Sequence, residues 1–145
     1  MATVLDTSEV ASHLRITIAR VARRLRQEAG GDLTAAQTAA LATVERHGPL
    51  TPSELADIER VRRPSATRII ARLADAGLVE RAGDPSDGRV SLVSITKAGS
   101  AELKRLRTRK NAYLARRLRE LDAPDVQALE RAAEVLERML EGERR

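Results

Sequence analysis

A cluster of arginines lies beside small hydroxyl side chains in the stretch RVRRPSATR, residues 60–68. An arginine guanidinium can pair bidentately with the edge of a guanine base, which discriminates between bases by about 1–3 kcal/mol, whereas serine and threonine more often bond to phosphate. This chemistry predicts a contact with double-stranded DNA through one group of side chains: Arg62, Arg63, Ser65, Thr67, Arg68 and, one turn further on, Arg72. A charge cluster of this kind can also be a solvated helix face. The elements predicted on either side of the cluster distinguish between these two interpretations.

A further arginine, Arg89, lies in the segment GLVERAGDPSDGRVSLVSITKAG, residues 77–99. Two apolar runs, Leu78-Val79 and Val90 to Ile95, flank Gly, Asp, Pro and Ser residues that suit a turn, which predicts a two-stranded ribbon with Arg89 at its tip. We expect Asp87 to hold the Arg89 guanidinium through a bidentate pair. Narrow A·T-rich minor grooves attract inserted arginine, so the ribbon is predicted to reach one. The alternative is a hairpin with an incidental surface ion pair.

Helical periodicity dominates the chain outside this ribbon. Capping boxes at Thr34/Gln37 and Thr51/Glu54, Pro52 at a first helical position and Gly30-Gly31 as a stop divide the pattern into about six helices. The apolar spacing predicts these inward positions: Leu14, Ile18, Val21 and Leu25 in the first helix, Leu41 and Val44 in the second, Leu55 and Ile58 in the third, Ile69, Ile70 and Leu73 in the fourth, and Leu103, Leu106, Leu114, Leu118 and Leu121 along a fifth at about 97–120.

A short helix at 51–59, a helix at about 63–75 and then the ribbon follow one another in the order of a winged helix-turn-helix. In that layout the second helix of the pair enters the major groove, and its first turn carries the arginine cluster. Thr51 and Ser53, at the start of the first helix, are predicted to contact phosphate with the help of its N-terminal amides. The fold class predicted is mainly α with a small two- to three-stranded β wing.

Composition excludes several classes of site. The chain has no cysteine and only two histidines, His13 and His47, so we expect no disulfide, no metal site and no cofactor. No run of about 20 apolar residues and no signal-peptide pattern is present, which predicts no membrane contact and a cytoplasmic protein. Tyr113 is the only aromatic residue, so the core must be aliphatic and thin, which favours a partner subunit.

The net charge of +5 is distributed unevenly. Residues 60–89 hold seven arginines against four carboxylates, a net +3, and residues 100–120 hold eight cations against two glutamates, a net +6. Clustered cations favour a polyanionic partner such as nucleic acid.

A heptad-like apolar row, spaced 3-4-3-4, runs along the last helix: Val126, Leu129, Ala133, Leu136 and Leu140. Such a row suits a helix that packs along another helix. An ordinary amphipathic helix on the core of its own domain explains the row equally well.

The segment LADIERVRRPSATRIIARLADAGLVERAGDPSDGRVSLVSITKAG, residues 55–99, resembles the core of the MarR family of bacterial transcription regulators. The likeness rests on the helix start RRPSATRIIARL, the junction AGLVER and the wing DPSDGRVSLVSITKAG, and the flanking helices fit the family in number and order. Arg62 departs from the family, which often has a small polar helix cap there.

The resemblance implies one domain with a winged lobe at about 33–99 and a helical dimerisation region at about 1–30 and 100–145. It implies a bacterial, nucleoid-associated homodimer whose first, fifth and sixth helices interlock, and which binds a pseudo-palindromic operator, most often as a repressor. The side chains expected in the dimer interface are Leu5, Val10, Val126, Leu129, Leu136 and Leu140. It also implies release by a small, often phenolic or aromatic anionic effector in a crevice lined by the first, second and fifth helices. The candidates for that crevice are His13, Arg20, Arg24 and Tyr113.

Competing classes of function are separable by experiment. An architectural or nucleoid DNA-binding protein would show little sequence preference and no effector response. An enzyme is disfavoured because no nucleophile–base pair, carboxylate dyad or phosphate-binding loop stands out. A membrane-surface protein is disfavoured because residues 100–120 lack the Trp/Phe/Leu-rich face of an interfacial helix.

Overall fold

A computed structural model describes residues 5–144 of the chain, with side chains through Glu143. Residues 1–4 and Arg145, which the sequence assigns to the dimerisation region, lie outside the described part. The elements in chain order are α1 (Thr7–Ala29), α2 (Ala35–His47), α3 (Pro52–Glu59), α4 (Arg63–Asp75), β1 (Val79–Gly83), β2 (Ser91–Ile95), α5 (Lys97–Arg119) and α6 (Ala123–Glu141), followed by a 3₁₀ turn at Gly142–Arg144. The predicted fold class, mainly α with a small β wing, is confirmed.

The wing is an antiparallel pair in which Val79 lies opposite Ile95 and Gly83 opposite Ser91. A third, one-residue strand comes from the loop before α3. There Leu50 N donates to Val93 O at 3.1 Å and Val93 N donates to Leu50 O at 2.8 Å. Strand β2 is therefore hydrogen-bonded on both sides, to β1 and to the entrance of α3.

Both predicted capping boxes form. Thr34 Oγ1 accepts from Gln37 N at 3.1 Å and Gln37 Oε1 accepts from Thr34 N at 3.0 Å. Thr51 and Glu54 make the corresponding pair at 3.1 and 3.3 Å. Because each box satisfies two amides that would otherwise lack a partner, the sequence fixes where α2 and α3 begin.

The start of α5 is held against the end of the α4–β1 connection. Thr96 Oγ1 accepts from Gly99 N at 3.0 Å and donates to Gly77 O at 2.7 Å. A Cβ at position 99 would lie 2.1 Å from Leu78 O and 2.7 Å from Ile95 Cγ1, so only glycine permits this approach. The contact joins the wing directly to the long helix α5.

The hydrophobic core lies between α2, α3, α4, the sheet and the first turns of α5. Its largest fully buried side chains are aliphatic: Leu41, Leu50, Leu55, Ile70, Leu73, Leu103, Val44 and Val93. By contrast α1 buries only Ala29, and α6 buries no residue at all. The predicted inward positions Leu14, Ile18 and Val21 of α1 are 43–47% exposed, because α5 covers only part of that helix.

The predicted burial of Ile58 is wrong, since this side chain is 48% exposed. The inward face of α3 is formed by Leu55 and Ala56 and continues to Glu59, whose carboxylate accepts a hydrogen bond from Thr43 Oγ1. With Glu59 turned toward α2, the neighbouring Ile58 lies on the outer side of the helix. Within the described residues, no helix is long and apolar enough to cross a membrane.

Candidate nucleic-acid interface

The turn between α3 and α4 sets the angle of the helix pair. Arg60 has left-handed backbone angles, with φ 54° and ψ 44°. Its N–H donates to Asp57 O at 3.3 Å and Val61 N donates to Ala56 O at 3.0 Å, the two hydrogen bonds of a Schellman motif. The motif ends α3 and starts α4 three residues later, although the residue in the left-handed position is not glycine.

Helix α4 turns one apolar side inward and leaves its first turns open to solvent. Ala66, Ile70 and Leu73, at i, i+4 and i+7, are buried. The remaining face carries the predicted DNA-contacting set: Arg62, Arg63, Thr67, Arg68 and Arg72 are exposed and Ser65 is half-buried. None of these arginines forms an ion pair with a side chain among residues 5–143. The charge at this helix start is therefore available to a polyanion.

Two local hydrogen bonds order the side chains of this first turn. Thr67 Oγ1 donates to Arg63 O at 3.0 Å, and Arg68 Nη2 donates to Ser65 Oγ at 3.4 Å. Arg62 caps the helix with its backbone alone, because its side chain makes no capping hydrogen bond. Its guanidinium therefore has no role in holding the helix end.

The start of α3 offers fewer donors than the sequence predicts. Pro52 has no N–H, and the capping box uses the amides of Thr51 and Glu54. The amide and hydroxyl of Ser53, with the hydroxyl proton of Thr51, are the groups left for a phosphate oxygen.

The wing loop is built from two Asp side chains that bond the backbone two residues on. Asp84 Oδ1 accepts from Ser86 N at 2.8 Å and from Ser86 Oγ at 2.7 Å, and these hydrogen bonds hold the pKa of Asp84 below its ordinary value. Asp87 Oδ1 accepts from Arg89 N at 3.1 Å in the same manner.

The predicted bidentate pair between Asp87 and Arg89 is wrong in its geometry. Arg89 Nε donates at 3.2 Å to the same Oδ1 that takes the backbone N–H, so one carboxylate oxygen makes both contacts. The Arg89 side chain is 92% exposed. Its two terminal nitrogens make no hydrogen bond within residues 5–143, which leaves them free for a base edge or phosphate.

The four predicted effector residues do not all come together. Arg20, Arg24 and Tyr113 line a cavity of about 570 Å³ between α1 and α5, called here the arginine groove, whereas His13 is not part of its lining. Arg24 Nε donates to the Tyr113 hydroxyl at 3.4 Å and Nη2 pairs with Glu28 at 2.5 Å; both contacts raise the pKa of Arg24. The Arg24 and Arg116 guanidinium carbons lie 5.4 and 5.6 Å from the Tyr113 ring centroid.

A different set of residues lines the crevice between α1, α2 and α5, which has a volume of about 340 Å³. Leu25, Leu103 and Leu106 form part of its apolar wall, and the polar groups are Arg26, Thr38, Arg107 and Lys110. Arg107 Nη1 pairs with Glu45 of α2 at 2.9 Å. Periodicity predicts Leu25, Leu103 and Leu106 as inward positions, but it does not show which helix covers each of them and so does not group the residues of this crevice.

The residues predicted for a dimer interface lie on the surface of the single chain. Leu5, Val10, Leu129 and Leu140 are exposed, and Val126 and Leu136 are half-buried.

Comparisons with known proteins agree with this geometry. The MarR family profile matches residues 33–91. A helix-turn-helix-type transcriptional regulator of Mycobacterium bovis is 39% identical over 135 residues, which cover 92% of this chain and 94% of that protein. The transcriptional repressor IacR of Pseudomonas putida is 30% identical over 110 residues, covering 76% of this chain and 66% of that protein. A solved Pseudomonas aeruginosa protein superimposes with a TM-score of 0.85 at 30% identity, covering 95% of this chain and 98% of that one. The chain belongs to the MarR family, and it is a DNA-binding transcription regulator rather than an enzyme.

Proposed function

We propose that this regulator is a homodimeric repressor that binds a pseudo-palindromic operator and releases it when a small aromatic or phenolic anion binds between α1, α2 and α5. The observation that carries the proposal is the apolar surface outside the winged lobe. Helix α6 has no buried residue over Ala123–Glu141, and α1 exposes Val10, Leu14, Ile18 and Val21 along one side. Long apolar rows on two helices are the kind of surface that a second subunit covers.

The operator symmetry follows from the symmetry of such a dimer. A two-fold axis presents two α4 helices and two wings, so the DNA should carry two inverted half-sites about one helical turn apart. Within each half-site, α4 supplies its exposed arginines to the major groove and Arg89 enters the neighbouring minor groove.

Repression is supported by the similarity to IacR, which is named a transcriptional repressor. A dimer bound over a promoter blocks access for the polymerase without any further activity, so the fold needs no additional site for this role.

The effector site is supported by the crevice between α1, α2 and α5. Its volume of about 340 Å³ lies in the range of small-ligand pockets, and its apolar wall suits a ring. Lys110 is half-buried and forms no ion pair with a side chain among residues 5–143, so its ammonium is available to a carboxylate or phenolate. A ligand here touches both the lobe, through α2, and the helices outside it.

The experiment that tests the operator is selection of a randomised duplex DNA library by the purified protein, followed by sequencing. We expect an enriched inverted repeat with half-sites about one turn apart. Salt-sensitive binding without an enriched motif would instead support the architectural alternative. Transcription from a promoter that carries the selected site should fall when the protein is added.

The effector is tested with benzoate and phenol as probes in the same operator-binding assay. We expect benzoate to weaken binding, and Lys110→Gln to remove that response while operator affinity without benzoate is unchanged. Lys104→Gln is the matched control, since Lys104 is exposed on α5 outside the crevice. Equal benzoate responses in wild type and both variants would contradict the assignment of Lys110.

A further inference from the structure

A further cavity, called here the lobe cavity, lies inside the winged lobe where α2, α3 and α4 meet, and its volume is about 230 Å³. It is open because small side chains line it where larger ones would fill the space: Ala36 and Ala40 of α2 and Ala66 of α4. Ala40 and Ala66 are buried and Ala36 is exposed, so the cavity runs from the surface beside the start of α2 toward the core.

The wall of the lobe cavity is apolar, with Leu55 and Ile69 among its residues, except for the half-buried carboxylate of Glu59. One oxygen of this carboxylate, Oε1, accepts a hydrogen bond from Thr43 Oγ1. The other oxygen makes no hydrogen bond with residues 5–143, and Glu59 forms no ion pair with a side chain in that range. The cavity therefore contains a partly desolvated negative charge that still has an oxygen free to accept.

The position of Glu59 on its helix adds to this negative potential. Glu59 is the last residue of α3, and the last turn of α3 contains no basic residue. The carbonyl groups at a helix C-terminus carry a partial negative charge, so a carboxylate there is unfavourable and a cation is favourable. The carboxylate and the helix end thus both favour a positively charged group in the lobe cavity.

The volume of the lobe cavity limits the size of what can bind there. An apolar cavity of about 150 Å³ is large enough to bind benzene. The lobe cavity, at about 230 Å³, has room for a ring of that size with a short side chain. A primary ammonium group on that side chain has three N–H donors and no acceptor, which suits a site whose one charged group is a carboxylate.

We propose that the lobe cavity binds a small apolar molecule with a primary ammonium group, which donates to Glu59 while the apolar part lies against Ala40 and Ala66. This site is separate from the crevice between α1, α2 and α5 and takes a ligand of the opposite charge, so it does not depend on the anionic effector proposed above. It borders the buried side of α4, so it can be occupied while the exposed side of that helix contacts DNA.

The test is an NMR titration of the ¹⁵N-labelled full chain, in a buffer without amines, with two probes of the same shape: benzylamine, a cation at neutral pH, and neutral benzyl alcohol. We expect benzylamine to bind about tenfold more tightly, with the largest shifts at backbone amides that line the lobe cavity. Glu59→Gln keeps the shape and an acceptor for Thr43, and it should bring the two dissociation constants together. Ala36→Leu fills the mouth of the cavity and should weaken both probes about tenfold.

The control is Glu80→Gln, which removes the same charge from an exposed position on β1 outside the lobe cavity and should keep the tenfold preference. Circular dichroism checks that each variant is folded. Equal dissociation constants of the two probes in wild type, or a preference that survives in Glu59→Gln, overturn the role of the carboxylate. Unchanged binding in Ala36→Leu, or shifts confined to other parts of the chain, overturn the location. A wild type that neither probe saturates overturns the site itself.

Discussion

The winged lobe and the helices α1 and α6 are stabilised in opposite ways. Nearly all of the large, fully buried side chains belong to the lobe, with Leu103 of α5 added to them, whereas 42 residues of α1 and α6 together bury one alanine. Charge divides along similar lines, since residues 30–96 hold eight arginines against nine carboxylates, a net −1. We therefore expect DNA recognition to depend on where a few arginines of the lobe are held, because the excess positive charge of the chain lies on helices α1 and α5.

Two leucine truncations test this contrast directly and should give the largest effect. Leu73→Ala removes a side chain that is 0% exposed, so we expect the free energy of unfolding to fall by about 2–5 kcal/mol. Leu129→Ala, on a residue 51% exposed in the single chain, should leave the lobe folded and weaken only self-association. Urea unfolding at two protein concentrations separates the effects, because only a dimer gives a concentration-dependent midpoint. Equal losses of unfolding free energy in the two variants would contradict the conclusion that the lobe and helix α6 are stabilised differently.

Gly99→Ala tests the contact that joins the winged lobe to helix α5. The added Cβ collides with Leu78 O, a backbone atom, so the start of α5 must move away from the wing, at a cost of about 1–3 kcal/mol. Gly88→Ala is the matched control, since nothing lies within 4 Å of the Cβ it would add. Thermal unfolding monitored by circular dichroism measures both. If the two variants have the same melting temperature, the close approach of Gly99 to Leu78 does not contribute to the stability of the protein.

Arg89→Ala tests whether the lobe recognises DNA through individual side chains. We expect about a tenfold loss of operator affinity, about 1.4 kcal/mol, with no change in melting temperature, because the side chain is almost fully exposed. Arg81→Ala removes the same charge from an exposed position on β1. A similar loss in both variants would mean that the general field of the wing, and not the position of Arg89, accounts for the affinity.

Arg60→Gly should give the smallest change in the free energy of unfolding, and unlike the other variants it should stabilise the protein. Relief of a left-handed non-glycine residue is expected to stabilise the lobe by up to about 1 kcal/mol, part of which is offset by the greater entropy of glycine in the unfolded chain. Differential scanning calorimetry detects a shift of this size. A fall in melting temperature would show that the stabilisation from the Arg60 side chain exceeds the cost of its left-handed backbone conformation.

Local signals in the sequence are sufficient to predict the helix starts and the exposed face of α4. Thr34 with Gln37 and Thr51 with Glu54 cap as their spacing predicts, because both partners lie within one turn of the same helix. The exposed face of α4 follows equally well from the predicted inward positions Ile70 and Leu73, both of which are buried. These features depend on residues no more than seven positions apart.

Features that depend on distant partners could not be predicted in the same way. Ile58 was misplaced because an eight-residue helix has too few apolar positions to fix its rotation, and Glu59 turns inward to meet Thr43 of α2. Arg20, Arg24 and Tyr113 line the arginine groove and not the α1–α2–α5 crevice, because spacing along α1 does not reveal whether α2 or α5 covers a given residue. The single-oxygen contact of Asp87 depends on the loop conformation at Arg89 N.

The two hydrogen bonds between Leu50 and Val93 have a consequence for the DNA itself. They tie strand β2 of the wing to the entrance of α3, so we expect the spacing between α4 and the base of the wing to change little from one DNA target to another. Any mismatch with the spacing of the grooves has to be absorbed by bending or narrowing of the duplex, and the energy of that deformation depends on base sequence. We therefore expect operator preference to extend to base pairs that no side chain touches, with flexible or A·T-rich steps favoured under the wing.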